Sequence, residues 1–376
     1  MNKRPASAGT CSERLGEILG EPPQDTSWAH HMVFLCLSAL GDLILSLPLI
    51  QAGKSICRNA KVTIVCSRPL TAEFAKDLQV AEEVVLLPAG ARRSPVALLR
   101  GLWLMRSLRA DMAFQTFASH GAFANLLLGV TGARIRCGFS DGRFFNLLTH
   151  CTKLDAAKHY TTLNMDLLRR LGHVELQDPQ GRYLPFIESH SEKFPVAGLD
   201  SIYGRYAVIS ISSDPKLSFK RWGVEKWRRL SRALSGDGFA LLFVGGPADR
   251  EDISEILKAE GIRGENMAGK TSFKDLAALI QGSRIVIGTD GMVLHFAAAM
   301  DKPCVGIFGP TNENREGPWR QMQNAARLTM PCSPCYSSDS SKLPIHCKTQ
   351  ECLRFLPVEK VYQQVLHALA NPTTRC

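Results

Sequence analysis

The sequence has few aromatic residues and none of the long apolar runs that mark a membrane protein. Aromatic residues make up 7% of its 376 residues. Because the basic clusters are also short, the chain offers little of the stacking surface that single-stranded nucleic acid needs. No apolar run is long enough to span a bilayer. Residues 1–30 lack an apolar segment followed by a cleavage site, so we expect a flexible tail, no signal peptide and a cytoplasmic protein.

Acidic residues are the minority among the charged ones. Lys and Arg together number 45 and Asp and Glu 35, which gives a net charge of +10. An excess of positive charge favours anionic partners such as nucleotides, nucleic acid, acidic lipid or a phosphorylated glycan. Since aromatic residues are few, we expect no nucleic acid among them.

The chain alternates apolar strand candidates with helical segments almost throughout. "HMVFLCL", "VTIVCS", "VVLLP", "MAFQTF" and "RIRCGF" precede a polar, proline-containing stretch, and "YAVISIS", "FALLFVGG", "RIVIGTD" and "CVGIFG" follow it. Such βα repetition predicts parallel sheets, and a chain of this length exceeds what one core usually serves. We therefore predict an α/β protein with two domains, over residues 31–185 and 186–376, and a cleft between their sheets.

One strand-to-helix junction places an acid, a glycine and a histidine close together in the sequence. "RIVIG" predicts a buried strand and "LHFAAAM" a helix that ends before Pro303. Asp290 and Gly291 then lie at the carboxyl end of the strand, and His295 lies in the first turn of the helix. Ligands of open α/β sheets bind at such ends, because the helix N-terminus offers free N–H groups and a positive dipole end.

A similar junction opens the first domain. "FLCLSALGDLILSLPLI" places Gly41 and Asp42 where a strand ends and a helix begins. One interpretation is a turn glycine followed by a capping aspartate. The other is a general base held at the cleft, within reach of a bound hydroxyl. Nothing in the local sequence separates the two.

The second domain has two further junctions of this kind. "ISISSDPKLSFKRWGVEKW" supplies Ser212, Ser213 and Lys220, which fit either a solvated basic loop or positive charge held against a leaving diphosphate. "FVGGPADRE" then supplies Gly245 and Asp249 at the turn after another strand. A tight turn by itself explains a glycine pair, and the dinucleotide pattern G-x-G-x-x-G is absent.

A cysteine-rich loop over residues 332–352 precedes the last predicted helix. Cys332, Cys335, Cys347 and Cys352 form the spacing C-x2-C-x11-C-x4-C. Four thiolates in such a loop can hold Zn or Fe in a closed, structural site. Free thiols are the alternative, and His346 is an alternative fourth ligand.

In order and spacing these segments resemble the ADP-heptose:lipopolysaccharide heptosyltransferase family, glycosyltransferase family 9, over residues 32–370. The matching segments are "ALGDLILSLPLI", "GFSDGRFFNLLTH", "KHYTTLNMDLLRRLG", "KRW", "GGPADRE", "TDGMVLHFAAAMDKPCVGIFGPTNENREGPW" and "PCSPCY". The resemblance implies a GT-B architecture, in which two Rossmann-like domains with parallel sheets face a cleft. It also implies that the N-terminal domain binds the acceptor and the C-terminal domain binds the nucleotide sugar.

The resemblance assigns a role to each matching residue. Asp42 matches the general base, Lys220 the residue on the donor phosphates and Asp290 the acid on the donor sugar, so these three are the predicted catalytic residues. His295 matches the histidine that closes the motif, and Asp249 the carboxylate on the nucleoside. The predicted donor-binding set is Ser212, Ser213, Lys220, Gly245, Asp249, Asp290, Gly291 and His295.

The sequence departs from the family pattern in the donor motif. The family has D-[ST]-G-x-x-H, whereas here Asp290 is followed by Gly291 and Met292. The hydroxyl that would touch a phosphate is missing, although Gly291 still lets the backbone approach a ligand closely. The departure implies a donor site that is weaker or differently selective.

Candidate acceptor ligands are basic residues of the first domain. They are Arg92, Arg93, Arg143 and His159, which can meet phosphates or carboxylates. For each of them a solvated surface position is the alternative. The acceptor that the resemblance implies is a phosphorylated glycolipid or glycan, and any contact with the inner membrane would be peripheral and electrostatic.

Three functions are compatible with these observations. The first is an inverting heptosyltransferase that moves heptose from ADP-heptose to a lipopolysaccharide core or a related surface glycan. The second uses another nucleotide sugar or a protein acceptor, and the third is a non-catalytic binding subunit. Because the chain has no Asp-x-Asp pair to hold a divalent ion on a nucleotide sugar, we expect no cofactor for catalysis and a metal-independent reaction.

Overall fold

The structure is a computed structural model that describes residues 28–184, 205–211, 215–336, 347 and 349–371. These residues form two six-stranded sheets, and every strand pair within each sheet is parallel. The predicted α/β class with two parallel sheets is therefore confirmed. Within the described residues, no helix is long and apolar enough to cross a membrane.

The first sheet lies in the N-terminal half and has the strand order β3-β2-β1-β4-β5-β6. Its strands are β1 His31–Cys36, β2 Lys61–Cys66, β3 Glu83–Leu86, β4 Met112–Gln115, β5 Ile135–Phe139 and β6 His150–Thr152. Its helices are α1 Leu40–Ile56, α2 Pro69–Asp77, α3 Pro95–Ser107, α4 Ala122–Thr131 and α5 Tyr160–Arg169.

The second sheet repeats this topology in the C-terminal half, with the order β12-β11-β10-β7-β8-β9. Its strands are β7 Tyr206–Ser210, β8 Ala240–Val244, β9 Gly264–Asn266, β10 Ile285–Thr289, β11 Cys304–Phe308 and β12 Ala325–Arg327. The helices of this half are α6 Val224–Gly236, α7 Arg250–Leu257, α8 Phe273–Gly282, α9 Met292–Ala299, α10 Glu313–Glu316, α11 Glu351–Arg354 and α12 Val358–Ala370.

Each of the apolar segments predicted as strands forms one. The prediction missed three strands, β6, β9 and β12, and each of them has three residues at the edge of its sheet. Such a short edge strand needs no apolar run, because it pairs with only one other strand and part of it is exposed to solvent. The periodicity of the sequence therefore carries no signal for it.

The predicted domain boundary between residues 185 and 186 falls in the segment 185–204, which lies outside the described residues. The predicted tail, 1–30, lies outside them up to residue 27. On either side of the boundary each sheet has its own strands, so the division into two halves stays a prediction that the topology supports.

The two halves meet along α1 and α9, and one cluster of buried apolar residues contains side chains from both. Phe74 of α2 packs its ring 4.6 Å from that of Phe273 and 5.6 Å from that of Phe296 on α9. The backbone N–H groups of Tyr183 and Leu184 both donate to the carbonyl of Ala299, at 3.0 and 3.2 Å. The halves thus share an apolar core as well as a chain connection.

Candidate functional site

The strand order of each sheet marks where a ligand site is expected. In both sheets the chain runs outward in one direction from the first strand and then returns to the other side of it, so β1 lies beside β4 and β7 lies beside β10. The crevice outside the carboxyl ends of such neighbouring strands is the common ligand site of doubly wound sheets. Asp42 follows β1 of the first sheet, and Lys220 and Asp290 follow β7 and β10 of the second. All three residues therefore lie beyond the carboxyl ends of these strands.

Asp42 is the third residue of α1 and is partly exposed. Its carboxylate reaches back to the start of the helix, where Oδ2 accepts a hydrogen bond of 3.0 Å from the N–H of Ala39. This contact satisfies one of the free N–H groups at the helix N-terminus. Oδ1 has no hydrogen bond to any of the residues that the structure describes, so one carboxylate oxygen is left for a bound hydroxyl.

At Gly41 there is no room for a side chain, because His295 from the other half lies against this position. A Cβ atom on Gly41 would stand 2.8 Å from Cδ2 of the His295 ring, which is closer than real Cβ contacts come. The N-terminal turns of α1 and α9 therefore approach each other only because this position has no side chain. The glycine predicted at a turn thus has its physical role between the two halves.

His295 is buried between the two halves, with 6% of its surface exposed. Its Nδ1 is buried and has no hydrogen-bond partner within the described part of the chain. Burial is the main reason that the pKa of His295 is lowered, whereas the neighbouring charges of Asp290 and Asp42 act to raise it. A neutral imidazole with an unsatisfied nitrogen therefore lies near Asp42, the predicted base, and Asp290, the residue predicted to bind the donor sugar.

Lys220 and Asp290 form a buried ion pair. The Lys220 Nζ donates to Oδ2 of Asp290 at 2.6 Å, and the two side chains are 9% and 7% exposed. The hydroxyl of Thr311 donates to the same carboxylate oxygen at 2.8 Å. The sequence placed Lys220 and Asp290 on different parts of a ligand, and the structure adds that they bind each other.

Both members of the pair are charged. Burial acts to lower the pKa of Lys220, but the charge and hydrogen bond of Asp290, together with Glu316 and Tyr336, outweigh it and the pKa is raised. Burial likewise acts to raise the pKa of Asp290, but Lys220, together with His295 and Thr311, holds it below its ordinary value. The pair therefore persists as an ammonium and a carboxylate, although little of it reaches solvent.

One aromatic and one acidic side chain outside the predicted set, Tyr336 and Glu316, also lie near Lys220. Lys220 Nζ lies 5.1 Å from the ring centroid of Tyr336, and Glu316 also acts on its pKa. The hydroxyl of Tyr160, at the start of α5, donates to Oε1 of Glu316 at 2.9 Å. The charged cluster of the C-terminal half is thereby bonded to a helix of the N-terminal half.

Sequence reasoning did not single out Thr311, Glu316, Tyr160 or Tyr336. Thr311 and Glu316 belong to "GPTNENREGPW" and Tyr336 to "PCSPCY", two segments that carried the family resemblance. A signal was therefore present, but no local pattern distinguishes these residues from ordinary loop residues. Thr311, Glu316 and Tyr336 come close to Lys220 and Asp290 only when β7, β10 and β11 lie side by side, and Tyr160 joins them through Glu316.

The remaining predicted donor residues lie around this cluster or outside the described part of the chain. Ser212 and Ser213 lie outside it. Gly245 is the first residue after β8, and its carbonyl accepts from Gly269 N–H at 2.9 Å. Gly291 is the N-cap of α9 in an extended conformation, with φ of −179°.

Asp249 is buried, and both of its carboxylate oxygens have partners. Oδ2 accepts from the N–H of Gly246 at 2.9 Å, and Oδ1 accepts from Arg221 at 3.3 Å. These bonds close the turn after β8 and hold a guanidinium beside it. Binding of a nucleoside by Asp249 stays a prediction. A ligand at this carboxylate would have to replace the hydrogen bond from Arg221 or bind beside it.

The four predicted acceptor residues divide into two kinds. Arg92, Arg93 and Arg143 are exposed in loops at the carboxyl edge of the first sheet. His159 is buried at the N-cap of α5, where Nδ1 accepts from Thr161 N–H at 3.1 Å and Nε2 donates to the Gly317 carbonyl at 3.0 Å. His159 thus joins the two halves, and its part in acceptor binding stays a prediction.

The cysteine-rich loop is described in part, because residues 337–346 and 348 lie outside the described residues and His346 is among them. Burial raises the pKa of the Cys352 thiol, and the thiols of Cys335, Cys347 and Cys332 raise it further. In the residues described, no group of three or more His, Cys, Asp or Glu has a geometry that could hold a metal ion.

The fold and this site define a class of protein. Two doubly wound parallel sheets, joined by a shared core and with their charged strand ends in one crevice, are the GT-B architecture of glycosyltransferases. The model of glycosyltransferase family 9 (heptosyltransferase) matches residues 103–346, which is more than half of the chain. The chain belongs to this family.

Curated relatives are heptosyltransferases of bacterial surface glycans. The chain is 31% identical over 159 residues to lipooligosaccharide heptosyltransferase 2 of Campylobacter jejuni, and it spans about half of that relative's length, 48%. It is 30% identical over 297 residues to lipopolysaccharide heptosyltransferase 3 of Escherichia coli K12, which covers 75% of this chain and 83% of the relative.

Solved structures of the family share the fold. Glycosyl transferase family 9 from Veillonella parvula superposes with a TM-score of 0.72 at 18% identity, over 91% of this chain and 98% of that one. For the E. coli ADP-heptose lipopolysaccharide heptosyltransferase II the TM-score is 0.67 at 18% identity, over 92% and 100%. The iron-containing dodecameric glycosyltransferase TibC of E. coli H10407 has a TM-score of 0.55 at 13% identity, over 92% and 77%.

Proposed function

We propose that the protein is an inverting glycosyltransferase that moves heptose from ADP-heptose to a lipopolysaccharide core or a related phosphorylated glycan. The observation that carries this proposal is the meeting of Asp42, His295, Asp290 and Lys220 at the crevice between two halves of the family 9 fold. Each of these residues occupies a family motif position. The family's characterised relatives, by name, transfer heptose to such glycans.

The acceptor step begins at Asp42. Its free oxygen accepts the proton of the acceptor hydroxyl, and that hydroxyl oxygen forms a bond to the anomeric carbon of the donor. The bond from the anomeric carbon to the diphosphate oxygen breaks on the opposite face, and the electron pair leaves with the diphosphate. Attack and departure on opposite faces invert the configuration at the anomeric carbon.

The departing diphosphate needs positive charge. Lys220 has three N–H donors, of which one holds Asp290, so the others can meet phosphate oxygens as their charge grows. The N-terminus of α9 adds free N–H groups beside Gly291. Asp290 keeps Lys220 charged and directed at this point, and its second oxygen is placed for a sugar hydroxyl. In this proposal no metal ion takes part in the transfer step.

The experiment that tests the proposal is a donor panel. Purified protein is incubated with ADP-heptose and with other nucleotide sugars, and release of nucleoside diphosphate and transfer to a deacylated core acceptor are both measured. Turnover with ADP-heptose that the acceptor stimulates supports the proposal. Turnover with another nucleotide sugar alone would support a related transferase instead.

The Gly291–Met292 pair is the observation that favours a second candidate, a non-catalytic subunit. The motif hydroxyl is absent, and Met292 packs its side chain partly into the shared core. If no nucleotide sugar in the panel turns over and ADP does not bind in calorimetry, this second candidate replaces the first.

We also propose a structural Zn or Fe ion at Cys332, Cys335, Cys347 and Cys352. The spacing of these cysteines supports it, and Gly309 leaves room beside Cys352, whose Sγ would be 3.0 Å from a Cβ there. A metal would hold a loop that has little core of its own. The name of TibC as iron-containing places one metal-holding protein on this fold.

Elemental analysis of the purified protein tests this ion. We expect about one Zn or Fe per chain. Cys332→Ser should lose this metal and should have a lower melting temperature than the wild type. Cys57→Ser, at a buried cysteine in the other half, is the control for any loss of a thiol. If the purified protein contains no bound metal, the metal proposal is wrong, and the proposed transferase function is unaffected.

We propose that the protein acts at the cytoplasmic face of the inner membrane, because a glycolipid acceptor would lie at a membrane surface.

A further inference from the structure

The outer side of α3 carries a stripe of exposed apolar side chains. Val96, Leu99 and Trp103 are 59%, 65% and 73% exposed. Their spacing places them on one side of the helix. The opposite side packs inward, since Met105 is fully buried in the cluster between this helix and the first sheet. Within the part of the chain that the structure describes, nothing covers the stripe.

The surroundings of the stripe carry charge of one sign. Residues 91–110 contain five arginines and no acidic residue. By helical spacing Arg100 lies on one side of the stripe and Arg106 on the other, and both are exposed. Arg92 and Arg93 lie just before the helix begins. An apolar centre with a basic border is therefore presented on a single exposed helix.

A second group of exposed apolar side chains extends this surface toward the crevice. Phe144 and Phe145, in the loop after β5, are 46% and 36% exposed. The Arg92 guanidinium lies 5.0 Å from the ring centroid of Phe123 on α4, and Asn125 of α4 donates to the Arg143 carbonyl at 2.9 Å. These contacts place the start of α3 and the Phe144 loop beside the same helix end.

Phe144 is held in a costly backbone conformation. Its φ of 65° lies in the left-handed region, which bulky residues rarely adopt. Such strain persists where the surrounding structure enforces it, and it is common at binding sites. Here it keeps an aromatic ring partly at the surface, where a partner could bury it further.

We propose that this surface, formed by Val96, Leu99, Trp103, Phe144 and Phe145 with the arginines of residues 91–110, docks the protein on an anionic lipid membrane. Exposed Trp and Leu on a basic, convex helix fit the interface of a bilayer, where apolar side chains enter the acyl boundary and arginines meet lipid phosphates. A protein partner would need an acidic, concave surface of matching shape, whereas an anionic bilayer supplies lipid phosphates for the arginines and takes up apolar side chains without a matching shape.

Docking through this surface would orient the crevice. The loops that carry Arg92, Arg93 and Arg143 lie at the carboxyl edge of the first sheet, so the membrane would meet the acceptor side of the protein. This consequence rests on the proposed function, because it gives docking a purpose only when the acceptor is a membrane glycolipid. The docking itself requires no donor, acceptor or catalysis.

Co-sedimentation with vesicles tests the docking. The probes are vesicles of phosphatidylethanolamine with phosphatidylglycerol, compared with vesicles of phosphatidylcholine. We expect the wild type to bind the anionic vesicles and Leu99→Asp/Trp103→Asp to bind them about 100-fold more weakly, since two large apolar side chains no longer enter the lipid. Arg100→Gln should weaken binding about five-fold on anionic vesicles and little on neutral ones.

A matched control replaces exposed apolar residues elsewhere. Val174 and Leu366 are 75% and 38% exposed, and Val174→Asp/Leu366→Asp should bind vesicles as the wild type does. Brominated lipid should quench Trp103 fluorescence, and this quenching should vanish in Trp103→Phe. Far-ultraviolet circular dichroism and calorimetry with ADP verify that the variants are folded, and they report on donor binding separately from docking.

Three results would overturn the proposal. The first is a wild type that does not bind anionic vesicles. The second is binding that Leu99→Asp/Trp103→Asp leaves unchanged, because another surface would then be responsible. The third is a wild-type dimer in solution that these substitutions dissociate, which would assign the surface to a second copy of the chain.

Discussion

At the scale of single residues, the site depends on close approach between groups that are distant in sequence. Gly41 admits the ring of His295, and Asp290 holds Lys220 across 70 positions of the chain. The carboxylate of Asp42 has one oxygen for each of the two roles proposed for it. Its Oδ2 satisfies a helix N–H while Oδ1 stays available, so helix capping and general-base catalysis are compatible at this position.

The role of Asp42 is tested by an isosteric change. Asp42→Asn keeps an oxygen for the Ala39 N–H but cannot accept a proton, so we expect kcat to fall by about 10²–10⁴. Affinity for ADP in calorimetry should be unchanged, because the base acts on the acceptor. Asp77→Asn, in the same half, is the control. Near-normal turnover of Asp42→Asn would reduce Asp42 to a helix cap.

The buried ion pair is tested by a double-mutant cycle. Asp290→Asn and Lys220→Met each leave one buried charge without its partner, and each should lower the free energy of unfolding by about 3–5 kcal/mol. The double variant should lose much less than the sum, because neither charge is then stranded. Urea unfolding measures all four proteins. Additive losses would show that the two side chains do not depend on each other in solution.

At the scale of elements, α5 joins the halves through its first two residues. His159 bonds the carbonyl of Gly317 and Tyr160 bonds the carboxylate of Glu316, so the N-terminus of α5 holds the α10 segment. The Trp319 ring also packs 4.7 Å from that of His159. These bonds require His159 to be neutral, since its Nδ1 accepts a hydrogen bond while its Nε2 donates one.

This requirement predicts acid sensitivity. Burial lowers the pKa of His159 from 6.5 to about 4, so between these values the unfolded chain binds a proton that the folded chain does not. The free energy of unfolding should therefore fall as the pH decreases from 6.5 to 4, by on the order of 3 kcal/mol from this residue. Below pH 4 this contribution should level off.

The measurement is urea unfolding across this pH range. His159→Gln, which keeps a side-chain donor for Gly317, should show a shallower dependence on pH, and His295, whose pKa is also lowered, should account for part of the remainder. His367→Gln, at an exposed histidine of α12, should keep the wild-type slope. An unchanged slope in His159→Gln would contradict the assignment.

At the scale of the whole molecule, the two halves share one cluster of buried apolar residues. Phe296 of α9 is fully buried against the ring of Phe74 from the other half. We therefore expect one calorimetric unfolding transition for the whole chain, with fluorescence and circular dichroism changing together. Two separated transitions in the wild type would show that the interface contributes little.

Substitution at the interface should uncouple the halves. Phe296→Ala removes a ring from the shared cluster and should cost about 3–5 kcal/mol, with a broadened or divided transition. Phe243→Ala, in the separate core of the second sheet, should lower the melting temperature by a similar amount and leave a single transition. Equal effects of the two substitutions on the shape of the transition would contradict a coupling role for Phe296.

Much of the fold followed from the sequence because its signals are local. Short apolar runs mark buried parallel strands, and the segments that follow them mark strand ends, so the βα order and the positions of Asp42, Lys220 and Asp290 after such ends were predictable. The family motifs likewise lie in continuous segments. Strands of three residues at sheet edges carry no such run, and β6, β9 and β12 were missed.

The sequence by itself determined which residues stand at strand ends, but only the tertiary structure decided which of them touch. The order of strands places β7 beside β10, and this order brings Lys220 to Asp290. The packing of α1 on α9 brings His295 to Gly41. Both contacts join positions far apart in the chain, and their geometry depends on how whole sheets and helices pack, which no local pattern of residues encodes.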